Sequence, residues 1–303
     1  MITVRNDNGN FRSSLNITRC AFSNGSSALY VLNQEHVEIA DSAFTSLRKG
    51  EDSGFTEGGA FYLYNVDNLH VRGSAFRYNS AYQTGGAWYL SYVSDVLIVD
   101  SEFEANVQGN SDLDSVTGGG AMFVEWPKAY VARRCTFVNN IANAGIGGAV
   151  KLNLGIVSPA TVKLESCVLM RNEEYVYTEQ SLSGAAVAVD LSYNSEANAQ
   201  LVVANSTFFG NTAPGGTLGV FQGNVSARIL DSTFQDNEGY SDTNSEGFGA
   251  GILFYAEYGS FLSKDTLYRN QSGPSGAAIN IPNSHYEGYS QTRSERVPCA
   301  GRG

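Results

Sequence analysis

The sequence is poor in charged residues, in proline and in long apolar runs. Charged residues are 16% of the 303-residue chain, against about 25% in an average globular protein. Lys, Glu, Arg and Leu, which are good helix formers, are scarce, and this argues against a helical bundle or a coiled coil. Six prolines are too few for a proline-rich linker. No stretch approaches the roughly 20 apolar residues of a membrane span, so we expect no membrane insertion by this segment.

Basic charge is also lacking. Lys and Arg total 19 against 30 Asp and Glu, which gives a formal net charge of −11 with no concentrated basic run. Because phosphate binding needs a basic surface, nucleic acid is excluded as an expected partner, and anionic membrane surfaces are disfavoured. The first residues have no apolar segment of the kind found in a secretory signal. They predict a strand followed by a turn, and we expect the chain to belong to a longer protein.

Glycine, in contrast, is abundant and recurs in a repeated pattern. The chain has 33 glycines, with 42% hydrophobic and 12% aromatic residues, enough to bury a core. One block is Gly-Gly-Ala followed by alternating apolar residues, at 58–64, 85–91, 119–125 and 147–153, with degenerate copies at 26–32, 184–190, 215–221, 249–255 and 276–282. A second block, Ser-x-Phe-x-x-Asn and looser copies, alternates with it and recurs every 31 residues or so between Phe22 and Leu267.

Alternation with period two predicts strands with one buried face, and no helical period is found. Without intervening helices the strands cannot form a βαβ sheet, and hairpin signals such as Asn-Gly between paired strands are nearly absent. The remaining solution is a solenoid in which each repeat forms one coil and pairs in parallel with the coils above and below it. We therefore predict an all-β, single-stranded right-handed parallel β-helix of about nine coils, similar to pectate lyase, over residues 1–282. Residues 283–303 are predicted to form a tail or a partial cap.

The positions that recur in every repeat have structural explanations in this fold. The Phe of each block is expected to stack in an internal aromatic ladder. The Asn three residues later is expected at a corner, where it tolerates left-handed backbone and forms an amide ladder. Cys20, Cys135 and Cys167 occupy the small, buried Ser position of the block, while Cys299 lies in the tail. Cys135 and Cys167 fall on consecutive coils, and a disulfide between them is a hypothesis.

The pairing of these two blocks resembles the repeats of the chlamydial polymorphic outer membrane proteins over residues 15–282. The resemblance implies a right-handed β-helix passenger domain of an autotransporter, located at the cell surface or outside the cell. It also implies an adhesin-like role with a glycan or a cell-surface protein as partner. No cofactor and no metal site is expected.

The alternative is a carbohydrate-active enzyme, namely a polysaccharide lyase, an epimerase or a glycoside hydrolase, with its site in the long loops. The Asp-Asp, His-Gly and Arg-x-Lys motifs of polygalacturonase-like enzymes do not occur, and His36, His70 and His285 are isolated. Two carboxylate groups are interpreted as solvated loops, namely Glu51, Asp52 and Glu57 beside Arg48 and Lys49, and Asp112 with Asp114. Glu173 with Glu174 and the acidic loop from Asp236 to Glu246 could bind calcium, but they lack the spacing of a calcium-binding motif. No catalytic residue is assigned, and we favour a non-enzymatic module.

Aromatic residues recur at one outward position of the repeat. The second residue after the alanine of the Gly-Gly-Ala block faces away from the core, and in four consecutive coils this residue is aromatic. Those residues are Tyr30, Tyr62, Tyr89 and Phe123, and Tyr64, Tyr92 and Trp126 are close enough to extend the patch. Outward aromatics stabilise a sheet through cross-strand pairs, and they also form platforms for sugars or protein partners. The predicted ligand-binding residues are Tyr30, Tyr62, Tyr64, Tyr89, Phe123 and Trp126.

Overall fold

All regular structure in the described part of the chain is β-strand. The computed structural model describes residues 1–6, 13–51, 56–109, 118–143, 145–154, 159–175, 184–191, 198–240, 251–256, 258–269, 271–272 and 278–280. Within these ranges there is no helix of a length and apolar character that could cross a membrane. The predicted all-β class is confirmed.

The strands form three parallel sheets. The largest sheet has two limbs. The first limb, which we call the GGA limb, contains Ile2–Arg5, the first part of Leu29–Ala40, Phe61–Arg72 and Trp88–Val99, then Met122–Glu125, Val150–Asn153, Val187–Asp190, Leu218–Phe221, Ile252–Tyr255 and Ile279–Asn280. The second limb contains Ser14–Thr18, the remainder of the three long strands, Ala129–Arg133, Ala160–Glu165, Asn198–Ala204, Asn224–Leu230 and Tyr258–Lys264.

The other two sheets consist of short strands. The Phe sheet contains Ala21–Ser23, Ala43–Thr45, Ala75–Arg77, Glu102–Glu104, Thr136–Val138, Val168–Met170, Thr207–Phe209, Thr233–Gln235 and Leu267–Arg269. The third, which we call the short sheet, contains Ser80–Ala81, Val107–Gln108, Ile141–Ala142, Glu173–Glu174, Thr212–Ala213 and Glu238–Gly239. Each coil visits the limbs and sheets in the same order, and corresponding residues of neighbouring coils are paired in register. Phe103, for example, pairs with Phe76 on one side and Phe137 on the other. This is the predicted parallel β-helix.

The core contains the predicted aromatic ladder. The rings of Phe44, Phe76, Phe103 and Phe137 are fully buried and stack with centroids 4.9 Å apart from coil to coil. Leu169 replaces the ring in the next coil, and stacking resumes between Phe208 and Phe234 at 4.4 Å. Since a parallel sheet repeats at about 4.8 Å, side chains in register are brought to stacking distance by the backbone itself.

The amide ladder is also present, with one correction to its backbone geometry. The Nδ2 of Asn106 donates to Oδ1 of Asn140 at 3.0 Å and to the carbonyl of Phe76 at 2.9 Å. The left-handed backbone that we assigned to this Asn is found one residue earlier, at Ala105 with φ 50° and at Asn139 with φ 54°. The preceding residue turns the chain because the Asn side chain must point inward to bond its neighbours.

The glycine pair of each block bends the chain where coils meet closely. Gly58 has φ +61°, which L residues rarely adopt. A Cβ on Gly59 would lie 2.3 Å from the carbonyl oxygen of Gly86 in the next coil. The bend therefore needs two different properties of glycine, conformational freedom at the first position and the absence of a side chain at the second.

The described cysteines are free thiols. Cys135 and Cys167 are buried, and their Sγ atoms donate to carbonyl oxygens of Arg133 at 3.2 Å and Ala132 at 3.3 Å. Cys20 is exposed, which corrects the expectation that it is buried. It lies near the N-terminal end of the stack, where fewer coils cover it. Cys299 and the proposed tail, 283–303, lie outside the described residues.

Candidate ligand-binding face

Two rows of side chains on the outer face of the GGA limb form the candidate site. Residues two and four after the alanine of each block point away from the core because side chains alternate along a strand. The first row, which we call the aromatic row, places Tyr30, Tyr62, Tyr89 and Phe123 at paired register positions. The second row places Tyr64, Ser91 and Glu125 beside them.

The rings of the aromatic row are stacked along the helix axis. Their centroids are 5.0 Å apart for Tyr30 and Tyr62, 5.2 Å for Tyr62 and Tyr89, and 5.8 Å for Tyr89 and Phe123. Because neighbours cover the ring faces within the stack, the row presents mainly ring edges and phenol hydroxyls to the outside. The three tyrosines are partly exposed.

Phe123 differs from the expectation that it faces solvent. It is only 2% exposed. One face of its ring stacks against Tyr89. Lys151 occupies the same row position in the next coil, and its ammonium lies 5.1 Å from the centroid of the Phe123 ring. Phe123 therefore connects the aromatic row to a buried cation and does not itself form part of the exposed surface.

Tyr64, Tyr92 and Trp126, which we call the corner aromatics, lie beside the aromatic row. The centroids of Tyr64 and Tyr92 are 5.4 Å apart with ring planes at 70°, and those of Tyr92 and Trp126 are 4.3 Å apart at 56°. Tyr64 is 40% exposed and Tyr92 44%. Tyr92 and Trp126 also have left-handed backbone, with φ 54° and 58°, a conformation that costs a bulky L residue roughly 1–2 kcal/mol. The corner thus holds large apolar rings at the surface on a strained turn.

The aromatic row continues into a group of polar side chains, which we call the polar cluster. Lys151 follows Phe123 in the first row, and Asn153 and Asp190 follow Glu125 in the second. Glu174 joins them from the short sheet, where its Oε2 accepts hydrogen bonds from the backbone N–H groups of Gly147 at 3.0 Å and Gly184 at 3.1 Å. Apart from Glu125, which is partly exposed, the members are buried.

Burial has a clear electrostatic effect on Lys151. Desolvation lowers the pKa of its ammonium to about 8, although Asp190, Glu174 and Glu125 all act in the opposite direction. Three carboxylates therefore act on a single ammonium that is 1% exposed. This cluster can hold charge and exchange a proton, but the lysine itself is not at the surface.

The hydroxyls of Tyr62 and Tyr89 have raised pKa values. Tyr89 donates to Oε2 of Glu125 at 2.6 Å, and burial followed by this bond raises the pKa of Tyr89 well above its usual value. Burial, and then the charge of Glu57, raises the pKa of Tyr62 to about 12. Both hydroxyls thus remain protonated at neutral pH.

Glu57 acts on Tyr62 through its charge, and Lys49 lies close enough to Glu57 for their charges to interact. The Oε2 of Glu57 accepts the backbone N–H of Thr56 at 3.0 Å. Lys49 is 8% exposed; burial lowers the pKa of its ammonium and the charge of Glu57 opposes this. In the part of the chain that the structure describes, the Lys49 ammonium makes no hydrogen bond or ion pair.

Beyond the polar cluster the outward side chains of the GGA limb are buried. Ala188, Phe221 and Leu253 are at most 2% exposed and pack with Ile146 as a small apolar cluster separate from the main core. The accessible part of the face therefore extends from Tyr30 to Glu125, and its far end is the buried Lys151.

Sequence reasoning found the aromatic residues of this face but did not connect its charged residues with it; Glu174, for example, was named only for its carboxylate and is 1% exposed in a strand of the short sheet. The structure places all six predicted ligand-binding residues on one continuous face, with Phe123 beneath the surface. Glu125, Lys151 and Asp190 were not singled out, although their positions in the two outward rows were the available signal. Of the loop carboxylates, Asp52, Asp112, Asp114 and those of residues 241–246 lie outside the described residues. Within the described ranges, no group of three or more His, Cys, Asp or Glu side chains could hold a metal ion.

Comparison with known proteins gives one match. A family model described as the right-handed β-helix region matches residues 2–215. No curated protein and no solved structure matches the chain. The match covers more than half of the sequence and agrees with the parallel, in-register sheets. The chain belongs to the right-handed β-helix family.

Proposed function

We propose that this chain is an extracellular or cell-surface binding module that holds an extended glycan along the aromatic row. The observation that carries the proposal is the regular placement of tyrosines on adjacent coils, with ring centroids 5.0 and 5.2 Å apart. Successive sugars of an extended β-1,4-linked glycan repeat at close to this spacing. A chain lying along the helix axis would meet one phenol oxygen per sugar as a hydrogen-bond acceptor.

The corner aromatics support the same proposal. Tyr64 and Tyr92 keep about two-fifths of their surface exposed, and their ring planes are not parallel to each other. They can therefore pack against the apolar faces of sugar rings while the aromatic row supplies hydroxyls. Exposed aromatic surface on a rigid sheet loses little conformational entropy on binding.

A carbohydrate-active enzyme is the second candidate, and one specific observation favours it. Lys151 and three carboxylates converge at the end of the accessible face, and such groups are used for acid–base chemistry on glycans. Binding is nevertheless the better-supported function, because Lys151 and Asp190 are buried while the tyrosines are exposed to a ligand.

A glycan array combined with a polysaccharide-degradation assay on the same preparation tests the proposal. Replacing Tyr62 or Tyr89 with alanine is expected to abolish binding to the glycans that the array identifies, while the circular dichroism spectrum is retained. Tyr78→Ala is the matched control, since Tyr78 is 56% exposed and follows a strand of the Phe sheet. Binding that survives both substitutions would contradict the proposal, and capture of a cell-surface protein alone would replace the glycan as partner.

A further inference from the structure

We propose that the glycan held along the aromatic row carries protonated amino groups, and that Glu57 and Glu125 bind them. The inference rests on the proposed function and names the ligand class of the same face. It is drawn from the charged groups around Tyr62 and Tyr89.

The two carboxylates lie on either side of neighbouring tyrosines. Glu57 precedes the Gly-Gly bend of the strand that carries Tyr62, and its charge acts on the Tyr62 hydroxyl. Glu125 is bonded to the hydroxyl of Tyr89 and also acts on Tyr62. Since Tyr62 and Tyr89 stack on adjacent coils, a glycan in contact with both hydroxyls passes between two carboxylates.

Each carboxylate keeps one oxygen available. Oε2 of Glu57 accepts from Thr56 and Oε2 of Glu125 accepts from Tyr89. Within the described ranges, the Oε1 atoms of both residues have no hydrogen-bond partner, and both side chains are partly exposed. A positively charged N–H donor forms a charge-assisted hydrogen bond with such an oxygen, which is about twice as strong as a neutral one.

Nearby positive charge does not neutralise the site. Glu57 acts on Lys49, and Glu125, Glu174 and Asp190 act on Lys151. These four carboxylates and two ammonium groups sum to about −2, within a chain of net charge −11. Arg5 lies in the second row but four coils before Glu125, which is about 19 Å at the spacing of parallel strands.

The Lys49 ammonium is a second group near Glu57 that the same ligand can satisfy. Lys49 is 8% exposed, it lies close enough to Glu57 for their charges to interact, and its ammonium has no partner in the described structure. A sugar hydroxyl next to the amine would offer it an acceptor. A uronic acid polymer would instead bring further carboxylates against Glu57 and Glu125, and repulsion between like charges disfavours it.

The test compares three hexasaccharides of different charge by isothermal titration calorimetry at about pH 6 and low salt. They are the β-1,4 glucosamine hexamer, its fully N-acetylated form, and a galacturonic acid hexamer. We expect the glucosamine hexamer to bind roughly tenfold more tightly than the acetylated one, as expected for charge-assisted hydrogen bonds. Added salt should reduce this difference, and the galacturonate hexamer should bind least.

Two substitutions assign the effect to the proposed residues. Glu57→Gln and Glu125→Gln keep the size and an acceptor oxygen but remove the charge, and each is expected to weaken glucosamine binding by about three- to tenfold. Binding of the acetylated hexamer should change little. Glu35→Gln is the control, because Glu35 is exposed and lies outside both rows. Equal affinity for both hexamers, or tighter binding of galacturonate, would overturn the ligand class and leave glycan binding intact. No binding of any hexamer, together with a blank glycan array, would overturn both.

Discussion

The hydroxyl of Tyr89 donates a 2.6 Å hydrogen bond to Oε2 of Glu125 on the next coil. The two residues are diagonal neighbours, since Tyr89 pairs with Phe123 and Glu125 lies two residues further along. This bond joins the aromatic row to the polar cluster. It fixes the orientation of the Tyr89 phenol and of the Glu125 carboxylate, which both lie in the accessible part of the face.

A double-mutant cycle on this pair measures the bond. Tyr89→Phe, Glu125→Gln and the double variant should show a coupling energy of about 1–2 kcal/mol, because one partner is charged and the pair is only partly buried. Urea denaturation of the four proteins provides the free energies of unfolding. Strict additivity of the two single changes would show that the bond contributes nothing.

The amide ladder should be sensitive to a single truncation. Asn140→Ala removes the acceptor for Asn106 and the donor to Asn172, and it leaves buried polar groups without partners. We expect a loss of about 3 kcal/mol in the free energy of unfolding. Asn143→Ala, at a partly exposed position with only a backbone bond to Gln108, should change stability by less than about 0.5 kcal/mol. Equal effects of the two substitutions would contradict a role for the ladder.

The aromatic ladder should depend more on volume than on aromaticity. Phe137 pairs with Leu169 in the next coil, which shows that the stack accepts an aliphatic side chain. Phe137→Ala is expected to destabilise the protein by about 3–5 kcal/mol through the cavity it leaves. Phe137→Leu should cost less than half as much. A thermal melt of both variants distinguishes these outcomes, and equal loss in both would favour a specific requirement for ring stacking.

The cysteines should differ in their reaction with iodoacetamide. In the native protein without reductant, Cys20 is expected to be alkylated, while Cys135 and Cys167 should be protected because they are buried. Unfolding in urea should expose both, since they are free thiols. Peptide mapping by mass spectrometry reads each residue separately. Failure of Cys135 and Cys167 to react even when unfolded would reveal a disulfide.

Lys151 should make stability depend on pH above neutrality. Its folded pKa of about 8 lies below the ordinary value of 10.5, so the unfolded chain binds more protons between these values and stability rises with pH. Relative to Lys151→Met, the wild-type protein should gain about 2 kcal/mol between pH 8 and pH 10. Parallel urea titrations of the two proteins measure the difference, in which shared groups such as Tyr62 cancel to first order. A difference that is flat or falls with pH would contradict the assignment.

Much of the fold could be predicted because it follows from local, repeated properties. Alternation of apolar residues places Phe61 and Leu63 inward and Tyr62 outward without reference to any other coil. Repetition of the block then places equivalent residues in register, so the ladders of Phe and Asn follow directly. The left-handed residue before each Asn was not predicted, because the inward direction of the amide depends on its bonds to two neighbouring coils.

The candidate site was predictable only in part, for a related reason. The aromatic row is a property of one position in the repeat and can be recognised in the sequence. The charged groups of the face come from different positions of the repeat, as with Glu174, which is 27 residues from the Gly147 amide it binds. Burial of Phe123 likewise depends on Lys151 in the following coil.

The sequence by itself determined the parallel β-helix, its inward rows and the aromatic character of one outer face, because these depend on the period of the pattern along the chain. Only the tertiary structure decided which outward residues are covered, and that Glu125, Glu174, Asp190 and Lys151 meet. Coils contribute loops of unequal length, so the distance along the chain does not tell which charges become neighbours. Desolvation and Coulomb interactions depend instead on how closely the groups lie in space.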